Sequence, residues 1–269
     1  MIISSIIWDR SPDLIRAGPV TVRWYGLLFA LGFYLGYLVL RWIFRKEKIP
    51  EKDLGTLLLY VLAGALIGAR LAHCFLYEPG YYLSRPGEVL QIWRGGLASH
   101  GGVIGVLIAL VFYTRTRTGQ SYLWLIDRLA IAGTPSAVLI RIGNLFNSEI
   151  IGTESALPWA FVFPRAGLDP LLPRHPVMLY EAAAYLVIFL LLVAVYRKRQ
   201  GRVPPGELSG LFLVTVFTVR FFLEYFKVPQ ADYSLPLPLR VGQLLSVPAV
   251  IAGVILLVSS RRSTVPARK

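Results

Sequence analysis

A short polar segment at the end of a long apolar run contains the residues best suited to chemistry. Arg141, Asn144, Asn147 and Glu149 lie close together in the stretch RIGNLFNSEIIG. A charged side chain is costly in hydrocarbon, at about 2.5–3.5 kcal/mol for an arginine at the centre of a membrane helix. Arg141 could bind a phosphate through paired hydrogen bonds, with Asn144 on the same helical face. The alternative is a helix-end arginine that reaches back to water, and the neighbouring amides and carboxylate weigh against it.

A histidine surrounded by glycines is the second candidate. His100 lies in the stretch GGLASHGGVIG, which contains five glycines. Glycine permits non-helical backbone or very close packing. Irregular backbone at membrane depth is tolerated only where it is buried in protein or lines a cavity. We therefore expect His100 to face a cavity, where an imidazole can act as a base near neutral pH. A histidine on an apolar helix can also be a satisfied core residue.

Three further side chains are candidates by position. Arg220 and Glu224 are four residues apart and share a helical face, which fits a structural ion pair as well as a role at a phosphate. Tyr25 is predicted to lie at the outer end of the first span, where tyrosine most often anchors a helix at the membrane interface. His175 precedes a proline suited to a first helical turn. It could be a second histidine of the site or a helix cap, and we favour the cap.

Composition places these residues in an integral membrane protein. The 269-residue chain is 55% hydrophobic and only 16% charged, with a mean hydropathy of +0.60, whereas soluble domains carry about 25% charged residues. A net charge of +13 would suggest nucleic acid as a partner of a soluble protein. Here the basic residues gather in short loops, as membrane topology requires, so no nucleic-acid partner is expected. The single cysteine excludes an internal disulfide, and no metal-ligand spacing is present.

Seven apolar segments predict an all-α, polytopic membrane protein with about seven transmembrane helices. The predicted spans are residues 24–44, 54–77, 97–113, 122–145, 176–196, 208–226 and 241–258. Basic clusters follow spans one, three, five and seven, which predicts an external N-terminus and a cytoplasmic C-terminus. We expect one membrane domain over residues 1–269, with an interfacial segment at 1–22 and an outer-face loop insert at about 147–175.

Two sets of residues inside these spans predict how the helices pack. Small residues at spacing four permit close approach of helices, and they are Gly32 with Gly36, Gly64 with Gly68, and Gly101 with Gly105. Arg70, His73 and Asp127 are polar residues within spans, and we expect them to form interhelical pairs. The residues alone thus describe an outward-facing site for a lipid phosphate or another anion, in either an enzyme or a transporter.

Seven motifs taken in order resemble the bacterial prolipoprotein diacylglyceryl transferase family. They are RWYG at 23–26, GARL at 68–71, GGLASHGGVIG at 95–105, RIGNLFNSEIIG at 141–152, HPVMLYE at 175–181, RFFLEYF at 220–226 and GQLLSVP at 242–248. The resemblance covers nearly the whole chain, and its most specific part is the 141–152 segment, which is similar to the family's signature. Arg94, Lys227 and Arg240 depart from the family pattern.

The resemblance implies transfer of the diacylglyceryl group of phosphatidylglycerol to the thiol of the lipobox cysteine in a prolipoprotein signal peptide. A thioether forms and glycerol phosphate leaves, in the first step of bacterial lipoprotein maturation. The implied location is the bacterial cytoplasmic (inner) membrane, with the site towards the outer leaflet. The partners are then phosphatidylglycerol, the prolipoprotein and membrane lipid, and neither a cofactor nor a metal is expected.

The resemblance also implies roles for individual residues. The positions that match catalytic residues are His100, Arg220 and Tyr25. The positions that match substrate-binding residues are Arg141, Asn144, Glu149, Gly152 and Glu224. His100 is the candidate base for a thiol that is mostly protonated at neutral pH, and the two arginines could stabilise the departing phosphate. A transporter of anions or lipids and a non-catalytic lipid-binding relative are the alternatives, although the internal repeats common in transporters are not evident.

Overall fold

The computed structural model describes residues 5–18, 20–92, 95–116, 121–168, 170–228 and 239–262. Its helices are α1 (Trp24–Lys46), α2 (Glu51–Ala72, extended by a π-helical turn His73–Tyr77), α3 (Pro79–Ser84), α4 (Ser99–Thr116), α5 (Tyr122–Phe146), α6 (Val177–Lys198), α7 (Glu207–Leu223) and α8 (Val241–Arg262). In these residues, six helices are long and apolar enough to cross a membrane, and α4 is a shorter apolar helix. The predicted all-α membrane fold is confirmed, and its orientation stays a prediction.

The chain divides into two compact units. Unit 1 contains Met1–Leu40 and Ile126–Lys269, and unit 2 contains Arg41–Leu125. Unit 1 therefore contains α5 to α8 with most of α1, whereas unit 2 is built mainly from α2 and α4. The single membrane domain expected from the sequence stays a prediction.

Helices α2 and α4 of unit 2 pack through glycines, as their spacing predicts. A Cβ atom at Gly64 would stand 2.6 Å from the carbonyl oxygen of Gly105, and one at Gly68 would stand 2.7 Å from the Cα atom of Gly105. In unit 1, a Cβ atom at Gly32 would stand 2.8 Å from the Cα atom of Ser136 on α5. Both contacts confirm that the small residues allow close helix approach.

The loop before α4 is held by a buried arginine. The guanidinium of Arg70 donates hydrogen bonds to the backbone carbonyls of Glu88 at 2.6 Å, Gly95 at 2.7 Å and Val89 at 2.8 Å. The interhelical contact expected for Arg70 is made with Tyr82 of α3, whose ring centre lies 5.0 Å from the guanidinium carbon, whereas its hydrogen bonds go to backbone carbonyls. Arg94, within the same loop, lies outside the described residues.

In unit 1, the interhelical contact expected for Asp127 is confirmed. Its fully buried carboxylate accepts hydrogen bonds from the backbone N–H of Gly206, at 2.8 Å, and from both the N–H and the hydroxyl of Ser209, at 2.8 and 2.7 Å. These donors belong to the free N–H groups at the start of α7. An aspartate on α5 thus caps α7 and fixes where that helix begins.

The segment before α1 forms strands that the sequence analysis did not predict. Strand β1 (Ile6–Ile7) pairs in parallel with β4 (Phe161–Val162), and β2 (Asp13–Ala17) pairs with β3 (Val20–Arg23) as an antiparallel hairpin. Strands of two to five residues give little periodic signal, which explains why the pattern indicated only an interfacial segment. The β1–β4 pairing attaches the N-terminal segment to the loop between α5 and α6.

Candidate functional site

The segment 141–152 contains the end of α5 and a sharply turned backbone. Ser148 and Ile150 both adopt left-handed conformations, with φ of 51° and 59°, which are uncommon for residues other than glycine and costly for a β-branched one. This turn returns Glu149 to the helix end, where its two carboxylate oxygens each accept a 3.0 Å hydrogen bond, one from the Asn144 amide and one from the Asn147 amide. The backbone conformation therefore fixes the position of the Glu149 carboxylate.

Arg141 joins this carboxylate–amide cluster to helix α6. Its Nη1 donates to Oδ1 of Asn144 at 3.3 Å, and its Nε lies 3.0 Å from Oε2 of Glu181. The Nε–H is not aimed at that oxygen, so the second contact is an ion pair without a well-aligned hydrogen bond. The prediction that Arg141 and Asn144 share a face is confirmed, and Glu181 is a partner that the sequence analysis did not predict.

Glu224, the other acidic residue predicted for the site, forms an ion pair with Lys227. Nζ of the buried Lys227 lies 2.9 Å from Oε1 of Glu181 and 3.2 Å from Oε2 of Glu224. The ion pair between Arg220 and Glu224 allowed by their spacing is not formed. Helix α7 ends at Leu223 and continues as a 3₁₀ turn over Glu224–Phe226, so the α-helical relation between positions i and i+4 is lost.

Arg220 contributes a cation with spare hydrogen-bonding capacity. Its Nε is buried and has no hydrogen-bond partner in the residues that the structure describes. Tyr185 lies one turn beyond Glu181 on α6, is 4% exposed, and interacts electrostatically with Arg141, Arg220 and Glu181. The Arg141 guanidinium carbon lies 6.0 Å from the centre of the Tyr185 ring. Arg141 therefore contacts α6 directly, and Arg220 lies within electrostatic range of Tyr185 on the same helix.

Tyr25 belongs to the same cluster. Its ring packs against Gly143 on α5, where an added Cβ atom would stand 2.8 Å from Cδ2 of the tyrosine. Its phenol interacts electrostatically with both Glu149 and Arg141. The absence of a side chain at position 143 thus allows the tyrosine to lie beside the predicted phosphate site.

Gly152 has a packing role in this geometry. Its N–H donates to the carbonyl of His175 at 3.1 Å, and it forms an isolated antiparallel bridge with Lys227. A Cβ atom at this position would stand 2.8 Å from Cγ2 of Val177 and would also collide with His175. Glycine is therefore required for the turned segment to lie against the start of α6.

His175 is not the helix cap that the sequence suggested. The N-cap of α6 is Pro176, and no side chain caps that end. Nδ1 of His175 lies 3.2 Å from the Tyr180 hydroxyl, which accepts a 2.9 Å hydrogen bond from Nε1 of Trp159. Because the Tyr180 hydroxyl accepts the hydrogen bond of the indole N–H, its own O–H can donate to Nδ1, which favours the tautomer of His175 protonated at Nε2. Burial lowers the pKa of His175.

His100 lies in unit 2, in the first turn of α4, and is exposed. The glycines before it have the non-helical backbone that was expected, with φ of 85° at Gly95 and 72° at Gly96. A Cβ atom at Gly96 would collide with the ring of His73. These contacts fix the backbone that leads to His100. The cavity expected beside it stays a prediction.

The charged site residues that the structure describes in unit 1 carry more positive than negative charge. The cations Arg141, Arg220, Lys227 and Arg240 stand against the carboxylates Glu149, Glu181 and Glu224. Nη1 of Arg240 donates to the backbone carbonyl of Glu224 at 2.6 Å and to that of Lys227. No group of three or more His, Cys, Asp or Glu side chains that could hold a metal ion occurs within the described residues. The excess of one positive charge suits a singly charged anion such as a phosphodiester.

Comparison with known proteins gives the same assignment as the motifs. The family model described as prolipoprotein diacylglyceryl transferase matches residues 12–259. The chain belongs to the prolipoprotein diacylglyceryl transferase family. Among its relatives, the phosphatidylglycerol--prolipoprotein diacylglyceryl transferase of Chloroherpeton thalassium is 52% identical, over 96% of this chain and 95% of the relative. The enzymes of the same name from Tolumonas auensis and Bacteroides fragilis are 49% and 41% identical, over 96% and 93% of this chain and 98% and 93% of the relatives.

Two residues of this transferase-family site were missed by the sequence analysis. Glu181 and Tyr185 lie one helical turn apart on α6. Glu181 pairs with Arg141, and the charges of Arg141 and Arg220 act on Tyr185. Their spacing of four within an apolar helix was the available signal, because a buried carboxylate in a membrane span marks a functional site by default. Glu181 is the last residue of the HPVMLYE motif, and the motif alone did not predict that it pairs with Arg141.

Proposed function

We propose that this chain transfers the diacylglyceryl group of phosphatidylglycerol to the thiol of the lipobox cysteine in a prolipoprotein. The observation that supports the proposal is that Arg141 and Arg220 both act electrostatically on Tyr185 of α6, in a chain of this family. A phosphodiester headgroup binds cationic hydrogen-bond donors. Two arginines at membrane depth carry a large free-energy cost, which indicates an anionic ligand of this kind.

The reaction exchanges one bond of the glyceryl carbon for another. The sulfur of the acceptor cysteine attacks that carbon, its bond to the phosphate oxygen breaks, and a thioether forms. Glycerol phosphate leaves with the bonding electron pair, so its phosphate changes from a diester to a monoester and gains about one negative charge near neutral pH. In this scheme Arg141 and Arg220 stabilise the growing charge in a site of low dielectric constant.

The remaining residues have supporting roles in this scheme. His100 is the base that takes the thiol proton, since a thiol with a pKa near 8.5 reacts as its thiolate. Tyr25 contributes a hydroxyl beside Arg141 and Glu149. The proposed binding residues are Arg141, Asn144, Glu149, Gly152 and Glu224. Asn144 and Glu149 orient Arg141, Gly152 permits the turn against α6, and Glu224 holds Lys227.

The chain is a multi-pass membrane protein, and we place it in the bacterial cytoplasmic membrane with the site towards the outer leaflet. The distribution of basic residues supports this orientation, because it assigns the end of α5 to the external side. A prolipoprotein exported across that membrane would present its lipobox cysteine on the same side.

A reconstituted assay tests the proposal. The purified chain, in nanodiscs containing phosphatidylglycerol, is incubated with a lipobox peptide, and mass spectrometry detects the diacylglyceryl thioether while glycerol phosphate is measured in solution. We expect both products, and neither with a peptide in which serine replaces the lipobox cysteine. Folded protein that binds phosphatidylglycerol without forming product would identify a non-catalytic lipid-binding protein instead. Near-normal turnover by His100→Asn would remove His100 as the base.

A further inference from the structure

We propose that Glu181 is a positioning residue for phosphatidylglycerol, which acts by holding Arg141 and Lys227 in one arrangement. This inference rests on the proposed function. Glu181 is fully buried, and each of its oxygens faces a different cation. Oε2 lies 3.0 Å from Nε of Arg141, and Oε1 lies 2.9 Å from Nζ of Lys227.

Because the Glu181 carboxylate is buried, its ion pairs with Arg141 and Lys227 are strongly favoured over their loss. A buried carboxylate is costly unless it is paired with opposite charge, and removing one partner of a buried pair is strongly destabilising. Both Glu181 oxygens face protein cations, so the carboxylate acts through its partners and not on the substrate. Glu181 holds the guanidinium of Arg141 through an ion pair at Nε, and Asn144 accepts a hydrogen bond from Nη1. Together the two contacts limit the positions that the guanidinium can adopt.

Glu181 also connects the two halves of the site. Arg141 belongs to α5, while Lys227 follows α7 and binds Glu224 at 3.2 Å. The backbone of Lys227 pairs with Gly152, next to the turned segment that carries Glu149. One carboxylate on α6 therefore links the amide cluster at the end of α5 to the acidic residue after α7.

The positioning role and a purely electrostatic role predict opposite effects of neutralising Glu181. Glu181→Gln removes one negative charge, so the positive excess of the site increases. If only net charge mattered, anionic phosphatidylglycerol would bind more tightly and its KM would fall. If Glu181 holds Arg141 in place, the guanidinium of Glu181→Gln loses its fixed position and KM rises in spite of the added positive charge.

Steady-state kinetics with phosphatidylglycerol nanodiscs and a lipobox peptide test the inference. We expect Glu181→Gln to raise KM for phosphatidylglycerol by roughly tenfold, with a smaller change in kcat. Arg141→Lys is expected to lose activity too, and the double variant should be no worse than the more damaged single variant, because both disturb the same contact. An unchanged or lower KM in Glu181→Gln, or losses that multiply in the double variant, would overturn the proposal.

Asp127→Asn is the matched control, since Asp127 is an equally buried carboxylate of unit 1 that binds the start of α7. It should lower thermal stability and leave KM for phosphatidylglycerol unchanged. A comparable rise in KM in this control would show that the effect of Glu181→Gln is general destabilisation, and would overturn the proposal.

If Glu181→Gln does not fold, Glu181→Asp replaces it, because it retains the charge and shortens the reach by one methylene. A raised KM in that variant supports positioning, and an unchanged KM contradicts it. Failure of the wild-type chain to form any thioether would instead contradict the proposed function.

Discussion

Gly242 lies directly against the carboxylate of Glu224, at the start of α8. A Cβ atom at position 242 would stand 2.6 Å from each of the two carboxylate oxygens. That carboxylate binds Nζ of Lys227 at 3.2 Å. The missing side chain at position 242 therefore provides the space in which Glu224 meets Lys227.

Replacement of this glycine should disturb the site without unfolding the chain. We expect Gly242→Ala to displace the Glu224 carboxylate and to lower kcat/KM by roughly tenfold, the effect of losing one hydrogen bond to a charged group. Gly133→Ala is the control, because a Cβ atom at that helical glycine meets no atom within 4 Å. Equal activities of the two variants, measured by thioether formation, would contradict a role for this contact.

The hydroxyl of Tyr185 is predicted to matter for catalysis, since the charges of Arg141, Arg220 and Glu181 all act on it. Tyr185→Phe removes only this hydroxyl from a buried ring. We expect kcat/KM to fall by roughly tenfold, as for loss of a polar contact with a charged group. Tyr196→Phe, three turns further along α6 near its C-terminal end and also buried, should leave kcat/KM unchanged. A loss of the same size in both variants would indicate a general effect of tyrosine replacement on this helix.

The sequence predicted the residues of the site better than the contacts between them. Apolar runs located the long helices because a membrane span must satisfy its backbone hydrogen bonds internally. The spacing of three placed Arg141 beside Asn144, since both lie in regular α-helix. The spacing of four failed for Arg220 and Glu224, because α7 ends between them at Leu223. Helix ends are set by tertiary contacts, and periodicity does not report them.

Contacts between residues far apart in the chain could not be predicted from one sequence. Glu181 and Lys227 are 46 residues apart, and no local pattern pairs them. The parallel pairing of β1 with β4 joins Ile6 to Phe161 through strands too short to show alternation. In contrast, the glycine pairs on α2 and α4 were predictable, because spacing four on one helix is itself the packing signal.

The packing of α2 against α4 should be sensitive to a single methyl group. A Cβ atom at Gly105 would stand 2.8 Å from the Cα atom of Gly68 and would also collide with the backbone of Gly64. We expect Gly105→Ala to destabilise the protein by about 1–3 kcal/mol, the usual cost of overpacking. Thermal unfolding in detergent measures the change. Gly55→Ala on α2, where a Cβ atom meets nothing within 4 Å, should be neutral or stabilising. An unaltered unfolding temperature for Gly105→Ala would contradict close packing.

His175 should make the stability of the protein depend on pH. Burial holds the pKa of His175 below its ordinary value of 6.5 in the folded state, so the unfolded chain takes up this proton first as the pH falls. The contribution of His175 to stability is therefore fully present above about pH 6.5 and is lost as the pH decreases towards the folded-state pKa. Thermal unfolding between about pH 7.5 and 5.5 should show a decline in the wild type that is shallower in His175→Gln. The difference between the two proteins is the quantity that reports His175. Parallel pH profiles for the two proteins would show that protonation of His175 is not coupled to folding.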